Sequence, residues 1–303
     1  MKFDVMIIGG SFAGLSAAMQ LVRAQKQVLV IDSAKPRNRF AVNSHGFFTL
    51  DGESPATIRD KALAKLQAYP GFSLLEAEVV DVKKVSTGFR AETANGQHMA
   101  AAKVILATGV KDELPDIPGL PERWGKTVIH CPYCHGYENK NVPLGVLATS
   151  EFSIHQAKLA PDWGSTTYFT QGQFSPDSDA RQMLEKRGVQ IEESPVIELL
   201  GTAPQILAVR LADGRELPIQ ALYVGPNTQM ASSLAKQLGC AFEPGFMGPV
   251  VKVDECQQTT VAGVYAAGDM AIPMQNATLA SASGVMTGVH VHHALIQIQL
   301  DSK

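Results

Sequence analysis

The first 32 residues leave this chain few folds to choose from. Phe3-Asp4-Val5-Met6-Ile7-Ile8 is a short apolar run that ends in Gly9-Gly10-Ser11-Phe12-Ala13-Gly14. Helix formers with small residues on one side follow over 15–22, then a second apolar run over 27–31, closed by Asp32. Strand, tight glycine turn, helix, strand and acid together make a βαβ unit. A glycine at the first position allows the sharp turn, and one at the last lets helix and strand approach closely. The helix N-terminus then points N–H groups at a pyrophosphate. Asp32 follows Gly14 by 18 residues, where a ribose hydroxyl wants an acceptor. Ser11 replaces the usual middle glycine, and its side chain is small enough for a phosphate to approach. Gly9, Ser11, Ala13, Gly14 and Asp32 are therefore candidate dinucleotide-binding residues.

A second stretch carries chemistry: Cys131-Pro132-Tyr133-Cys134-His135-Gly136-Tyr137-Glu138. Two cysteines three apart can close a disulfide or open to a dithiol, and the spacing usually lowers one thiol's pKa into the neutral range. The adjacent histidine can carry the proton. A structural zinc would need four ligands. Cys240 and Cys256 are single and far downstream, so only His130 and His135 could complete a set, and no metal is expected. Two inert buried thiols are the blander alternative.

Composition narrows the field further. A formal charge of −3 without any basic run gives no reason to expect nucleic acid, and 45% hydrophobic content over 303 residues supports two ordinary domains. No apolar stretch reaches the roughly 18 residues of a membrane helix. The apolar start is too short for a signal peptide and runs straight into a glycine turn. Four cysteines in a chain this long make no secreted disulfide framework. The expectation is a cytoplasmic protein with no membrane partner, whose paired cysteines are redox-active.

Further along, Ser54-Pro55 opens a helix to about residue 69, residues 74–82 and 89–93 read as strands, and 103–107 as a buried strand ended by Thr108-Gly109. Pro115, Pro118 and Pro121 suggest a linker. A second α/β unit follows, with strands at 142–148, 166–170, 189–191, 196–200, 206–211 and 221–224, and helices at 152–159 and 175–187. Gly245 to Gly248 suggests a crossing back. The tail ends in an apolar strand, 263–269, closed by Asp269, and a long helix of small residues opening at Asn276-Ala277. Such a helix N-terminus can stabilise negative charge on a reduced ring.

The order GGSFAG with Asp32, the turn at 107–109, CPYC with HGYE, VGPNT at 224–228 and GVYAAGD resembles the low-molecular-weight thioredoxin reductases over essentially the whole chain. That resemblance implies an α/β fold of two Rossmann-like, three-layer ββα domains, the second inserted in the first. The FAD-binding domain would be residues 1–112 and 246–303, and the inserted NAD(P)H-like domain, carrying the CxxC, residues 113–245. It implies a homodimer, with Cys134 facing the flavin and Cys131 exchanging with the partner thiol. Asp32 would hold the adenosine ribose, Asp269 the ribitol and the 276–278 backbone the isoalloxazine. Val79, Thr108, Gly109, Gly268, Asn276 and Ala277 join the implied FAD contacts.

Two departures redirect the functional expectation. NADPH-using relatives carry a second glycine-rich turn and a basic cluster one strand later; here the turn is Ala148-Thr149-Ser150-Glu151-Phe152-Ser153, and the next strand ends Phe169-Thr170-Gln171-Gly172. Phosphate recognition wants arginine forks or N–H groups, so NADPH binding is doubtful. His135 stands where the reductases have aspartate, and an imidazole is already near neutrality; a structural histidine is the blander reading. The combination looks like the dithiol oxidases that close disulfides in natural products such as gliotoxin, holomycin and romidepsin. The leading expectation is oxidation of a small-molecule dithiol through Cys131-Cys134 and FAD to oxygen or another acceptor. Its rivals are a reductase of a thioredoxin-like protein driven by NAD(P)H or ferredoxin, and a flavin redox sensor. His45, in His45-Gly46-Phe47-Phe48, is a candidate for contact with flavin or substrate, or a satisfied loop residue.

Overall fold

A computed structural model describes residues 3–301; residues 1, 2, 302 and 303, at the ends of the expected first domain, lie outside the described residues. Strand β1 (Phe3–Ile8), helix α1 (Phe12–Arg23) and strand β2 (Val28–Asp32) form the βαβ unit read from the sequence. Val5 and Ile7 pack into a cluster with α1, whereas Met6 and Ile8 pack into the cluster on the opposite face. A parallel sheet covered on both faces has no polar side, and for that reason residues 5–8 of the strand read as an unbroken apolar run.

Helix α2 (Pro55–Leu66) and strands β3 (Phe72–Glu76), β4 (Val79–Val85), β5 (Gly88–Thr93) and β6 (His98–Leu106) follow. The single strand expected over 74–82 is two strands. β3 pairs parallel with β2 while β4 pairs antiparallel with β5, so the chain must leave one edge before joining the other. Ala77 N–H bonding Asp32 O and Ala94 N–H bonding Glu78 O fix that break. The path through the sheet is β3-β2-β1-β6-β5-β4.

The chain leaves along β7 (Val110–Glu113) and builds β8 (Val128–Ile129), α3 (Pro132–His135), β9 (Leu144–Leu147), α4 (Ser153–Leu159), β10 (Thr166–Phe169), α5 (Ser178–Lys186), β11 (Gln190–Glu192), β12 (Val196–Leu200), β13 (Ala208–Leu211), β14 (Glu216–Pro218) and β15 (Ala221–Val224). A five-stranded sheet, β11-β10-β9-β15-β8, is parallel throughout, and β12-β13-β14 is a separate antiparallel sheet. The proline-rich stretch before β8 is no free linker. Ile117 and Leu120 are buried, and the buried Arg123 donates to the carbonyls of Gly119, Gly201 and Gln205.

The return comprises β16 (Asn227–Met230), α6 (Leu234–Gln237), β17 (Phe242–Glu243), β18 (Val250–Val251), β19 (Val264–Ala266) and α7 (Ala277–Asp301). β19 pairs parallel with the end of β6. α7 lies against α1 because glycines permit it: a Cβ on Gly284 would sit 2.1 Å from Ala13 O, and one on Gly288 2.7 Å from Ala17 O.

Two compact units result: residues 1–39, 56–111 and 228–303, and residues 40–55 and 112–227. These limits differ from the sequence expectation twice. Gly245 and Gly248 close the β17–β18 hairpin, with Gly245 N–H bonding Gly248 O at 3.0 Å, so the return falls at Thr228. Residues 40–55, expected within the first domain, pack with the second unit. Among the described residues no helix is long and apolar enough to cross a membrane.

Candidate functional site

In the first unit the turn after β1 is built so that no side chain fills it. Gly9 has φ +111°, and a Cβ there would meet Ala107 O at 2.2 Å. A Cβ on Gly14 would meet Gly9 O at 1.9 Å, which is why helix and strand approach so closely. Ser11 occupies the position preceding α1 and makes no side-chain cap. Asp32 closes the turn from below: Oδ1 accepts Gly10 N–H at 3.0 Å and Oδ2 accepts from Arg59 at 2.7 Å. Arg59 also donates to Gly10 O at 3.2 Å. Thr108 and Gly109 follow β6, with Gly109 at φ +68°. Gly268, at φ +75°, donates its N–H to Ser283 Oγ at 3.1 Å.

Asp269 pairs with Arg37 at 3.1 Å, and Arg37 also donates to Gln275. Asn276 spends its side chain on α7, its Oδ1 accepting Thr278 N–H at 2.8 Å and Leu279 N–H at 3.3 Å. The Thr278 N–H is thus engaged within the helix itself. Val79 is 7% exposed with its side chain in the core, which leaves only its backbone for a ligand. Arg37 and Arg59 were not singled out from the sequence. Their partners are far along the chain, and nothing local marks either.

The second unit holds the equivalent turn, after β9, in a different state. The N–H groups of Thr149 and Ser150 point at Ser153 Oγ, at 3.0 and 3.4 Å, and the Thr149 hydroxyl donates to Gly225 O. α4 is seven residues long. At the end of β10, Gln171 pairs with the backbone of Val196, accepting from its N–H at 2.8 Å. Groups that would meet phosphates are thus occupied within the unit.

The thiol pair lies in the same unit. Cys131 has extended backbone just before α3, Pro132 takes the first helical position, where its missing N–H costs nothing, and Cys134 falls one turn on. Gly136 has no Cβ because one would lie 2.5 Å from the Trp163 ring, which stacks edge-on with Tyr133. Both cysteines are free and half-buried. The Cys134 thiol donates to Cys131, and the N–H groups of Cys134 and Tyr133 add to it, so Cys131 is held down at about 7 despite its burial. The same hydrogen bond, with burial, pushes Cys134 up. In the dithiol the negative charge therefore sits on Cys131 and the proton on Cys134.

His135 is pushed below its ordinary value, chiefly by burial and then by the nearby His45, against the pull of Glu138. Its Nδ1 is buried and has no hydrogen-bond partner among the described residues. The Tyr223 hydroxyl is also buried and unpartnered among them, and burial, Cys131 and Glu138 all raise its pKa. Among the described residues no group of three or more His, Cys, Asp or Glu could hold a metal ion.

A family model for pyridine nucleotide-disulphide oxidoreductases matches residues 3–284. The chain belongs to that family. Within this pyridine nucleotide-disulphide oxidoreductase family it is thioredoxin reductase-like: it is 32% identical to the thioredoxin reductase sirT of Leptosphaeria maculans, over 96% of this chain and 93% of that one. The crystal structure of an oxidoreductase from Agrobacterium tumefaciens superimposes with a TM-score of 0.93 at 44% identity, covering 98% of this chain and 99% of the other. The crystal structure of HlmI gives a TM-score of 0.91 at 33% identity, over 99% and 94%. The α/β architecture is thus that of a two-domain, Rossmann-type flavoprotein oxidoreductase, and FAD is its cofactor. The glycine turn over Asp32, which any Cβ at Gly9 would fill, fits that nucleotide.

Proposed function

We propose that this chain oxidises a dithiol to a disulfide through Cys131 and Cys134, with FAD in the first unit. The observation that carries the reading is the β9–α4 turn of the second unit, closed by Ser153 and Thr149 where a nicotinamide nucleotide would deliver its phosphates. Electrons then have one entry, through the thiols. FAD would be held by Gly9, Ser11, Ala13 and Gly14 at the pyrophosphate, by Asp32 at the ribose, and by Thr108, Gly109, Gly268, Asp269, Asn276 and Ala277 around the remainder. Bound FAD supplies a two-electron acceptor.

The chain's own residues do the rest. A substrate thiolate attacks the Cys131–Cys134 disulfide at Cys131, and Cys134 leaves as the thiolate and, its pKa being raised, takes up the proton that the substrate thiol released. The second substrate thiol, after losing its proton, attacks the substrate sulfur of the mixed disulfide. Substrate disulfide departs, and Cys131 leaves as the thiolate its hydrogen bonds favour. Two electrons now reside on the pair and two protons have left the substrate. His135, neutral near pH 7 because it is buried, is the base beside the pair. It must also take the proton from Cys134 before that sulfur can give up electrons.

The thioredoxin reductase names of the relatives favour the reverse direction, with a thioredoxin-like protein as the disulfide substrate. An anaerobic comparison separates the two. Dithiothreitol should bleach the flavin band of the holoenzyme rapidly and NADPH should leave it unchanged. Rapid bleaching by NADPH would establish the reductase reading instead. Leu279, Met286, Val289 and Ile296 recur along one face of α7 and are all exposed, which supports a homodimer. The reducing cytoplasm suits the redox-active pair.

A further inference from the structure

Residues 40–55 pack with the second unit and bring to the thiol site a histidine from 90 residues upstream of His135. The loop is closed on itself: Ser44 N–H bonds Glu53 O at 2.8 Å, Gly52 N–H bonds Ser44 O at 2.9 Å, and Gly46 N–H bonds Asp51 Oδ1 at 2.7 Å. This clasp presents His45, whose side chain is 17% exposed. Its Nδ1 lies 3.5 Å from Glu138 Oε1 and 3.7 Å from Asp51 Oδ1. Its ring stands perpendicular to that of His135, with centroids 6.2 Å apart. One bridging water spans such a separation.

A loop histidine that merely satisfied its own turn would need Asp51 alone. Here a second carboxylate, from the HGYE motif itself, converges on the same nitrogen, and a second imidazole stands edge-on. Carboxylates on Nδ1 assign the proton to that nitrogen and leave Nε2 as an acceptor. The Nδ1 of His135 is buried without a partner among the described residues, so that nitrogen has no bonded exit for a proton. Asp51, with 70% of its side chain exposed, opens onto solvent. The groups run from buried to exposed, from His135 through His45 to Asp51 and water.

We propose that His45 is a positioning residue for proton transfer, relaying to solvent the proton that His135 takes from the thiols. The inference rests on the dithiol-oxidising reading. The transfer is balanced within the groups named: the S–H bond of Cys134 or of the substrate breaks, His135 gains the proton, and His45 takes it as its Nδ1 proton moves to Asp51 and water. The charged and titratable groups facing the two imidazoles are Glu138 and Asp51, with the Tyr223 hydroxyl toward Cys131 and Glu138. Tyr223 stays protonated because it is buried.

The test uses FAD-loaded protein mixed anaerobically with dithiothreitol between pH 6 and 9. Two readouts run together: flavin bleaching, and a count of alkylated cysteines after acid quench, which follows thiol exchange without reference to the flavin. His45→Gln is expected to slow both by 10- to 100-fold with unchanged flavin content and to change the pH profile. Added imidazole is expected to restore most of the rate in His45→Ala. Asp51→Asn keeps an acceptor for the Gly46 N–H, so the loop stays closed, and is expected to slow both steps several-fold. Wild-type rates in His45→Gln at every pH would overturn the proposal, as would a loss that imidazole does not rescue while the pH profile keeps its shape. If His45→Gln does not retain FAD, Asp51→Asn decides, and wild-type rates there overturn it. If wild-type thiols exchange but the flavin never bleaches, the dithiol-oxidising reading fails, and the exchange rates still judge His45.

Discussion

The chain contains the same local problem twice, a parallel strand running through a turn into a helix, and solves it in opposite ways. After β1, glycines keep the turn empty and no side chain caps α1. After β9, Ser153 and Thr149 close the turn with their own oxygens. An unfilled helix N-terminus is an anion site, and a filled one is only a turn. The first unit is equipped for a nucleotide, and the second is equipped with thiols. The proposed entry of electrons by thiol rests on that asymmetry.

The largest effect should come from the thiol side. Cys134→Ser should abolish flavin bleaching by dithiol, a loss on the order of a thousandfold or more, since the pair acts as a unit. Stopped-flow absorbance reads it. Retained bleaching would mean that electrons bypass the pair, and the contrast between the units would lose its meaning.

Gly14→Ala strikes the open turn. A Cβ there meets Gly9 O at 1.9 Å, and backbone must move to relieve it. Overpacking of this kind costs about 2–3 kcal/mol. Expressed in the turn itself, that is roughly 30- to 150-fold in FAD dissociation, measurable by flavin fluorescence on dilution. Unchanged FAD binding would show that the turn does not hold the pyrophosphate.

Much of this asymmetry is legible in the sequence, because glycine spacing and strand period are local signals. The β1–α1–β2 unit, the CxxC pair and the loss of glycines after β9 are all readable for that reason. What escaped reading depends on distant partners. Nothing at Ala77-Glu78 announces that one apolar run serves both edges of a sheet. The return at Thr228 lies inside β16 without punctuation, whereas the conspicuous Gly245 and Gly248 only close a hairpin. Arg37 finds Asp269 across 232 residues, and Arg59, on α2, finds Asp32 across 27. His45 was visible as a candidate, but its place beside Glu138 and His135 is a fact of tertiary packing.

The pH behaviour of Cys131 sharpens the thiol side of the contrast. Its pKa of about 7 depends first on the hydrogen bond from the Cys134 thiol. Alkylation of the reduced protein by iodoacetamide should therefore rise as pH passes 7 and level off above it. Cys134→Ala removes the donor, so the thiol should return toward the ordinary range near about 8.5. Less thiolate at pH 7 should then slow alkylation roughly tenfold, with little difference by pH 9.5. An unmoved profile would assign the depression to the backbone N–H groups instead.

The smallest effect tests whether the closed turn can be reopened. Ser153→Ala removes the acceptor from the N–H groups of Thr149 and Ser150, returning two donors to the position where a phosphate would arrive. A net hydrogen bond contributes only about 0.5–1.5 kcal/mol, and Glu151 beside it repels an anion. Gln171 still stands where an arginine would be needed. NADPH affinity, measured by nucleotide fluorescence, should therefore improve no more than a few-fold. A hundredfold gain would mean that one hydroxyl is all that separates the two turns, and that the second unit is a nucleotide site held shut rather than one that has lost its chemistry.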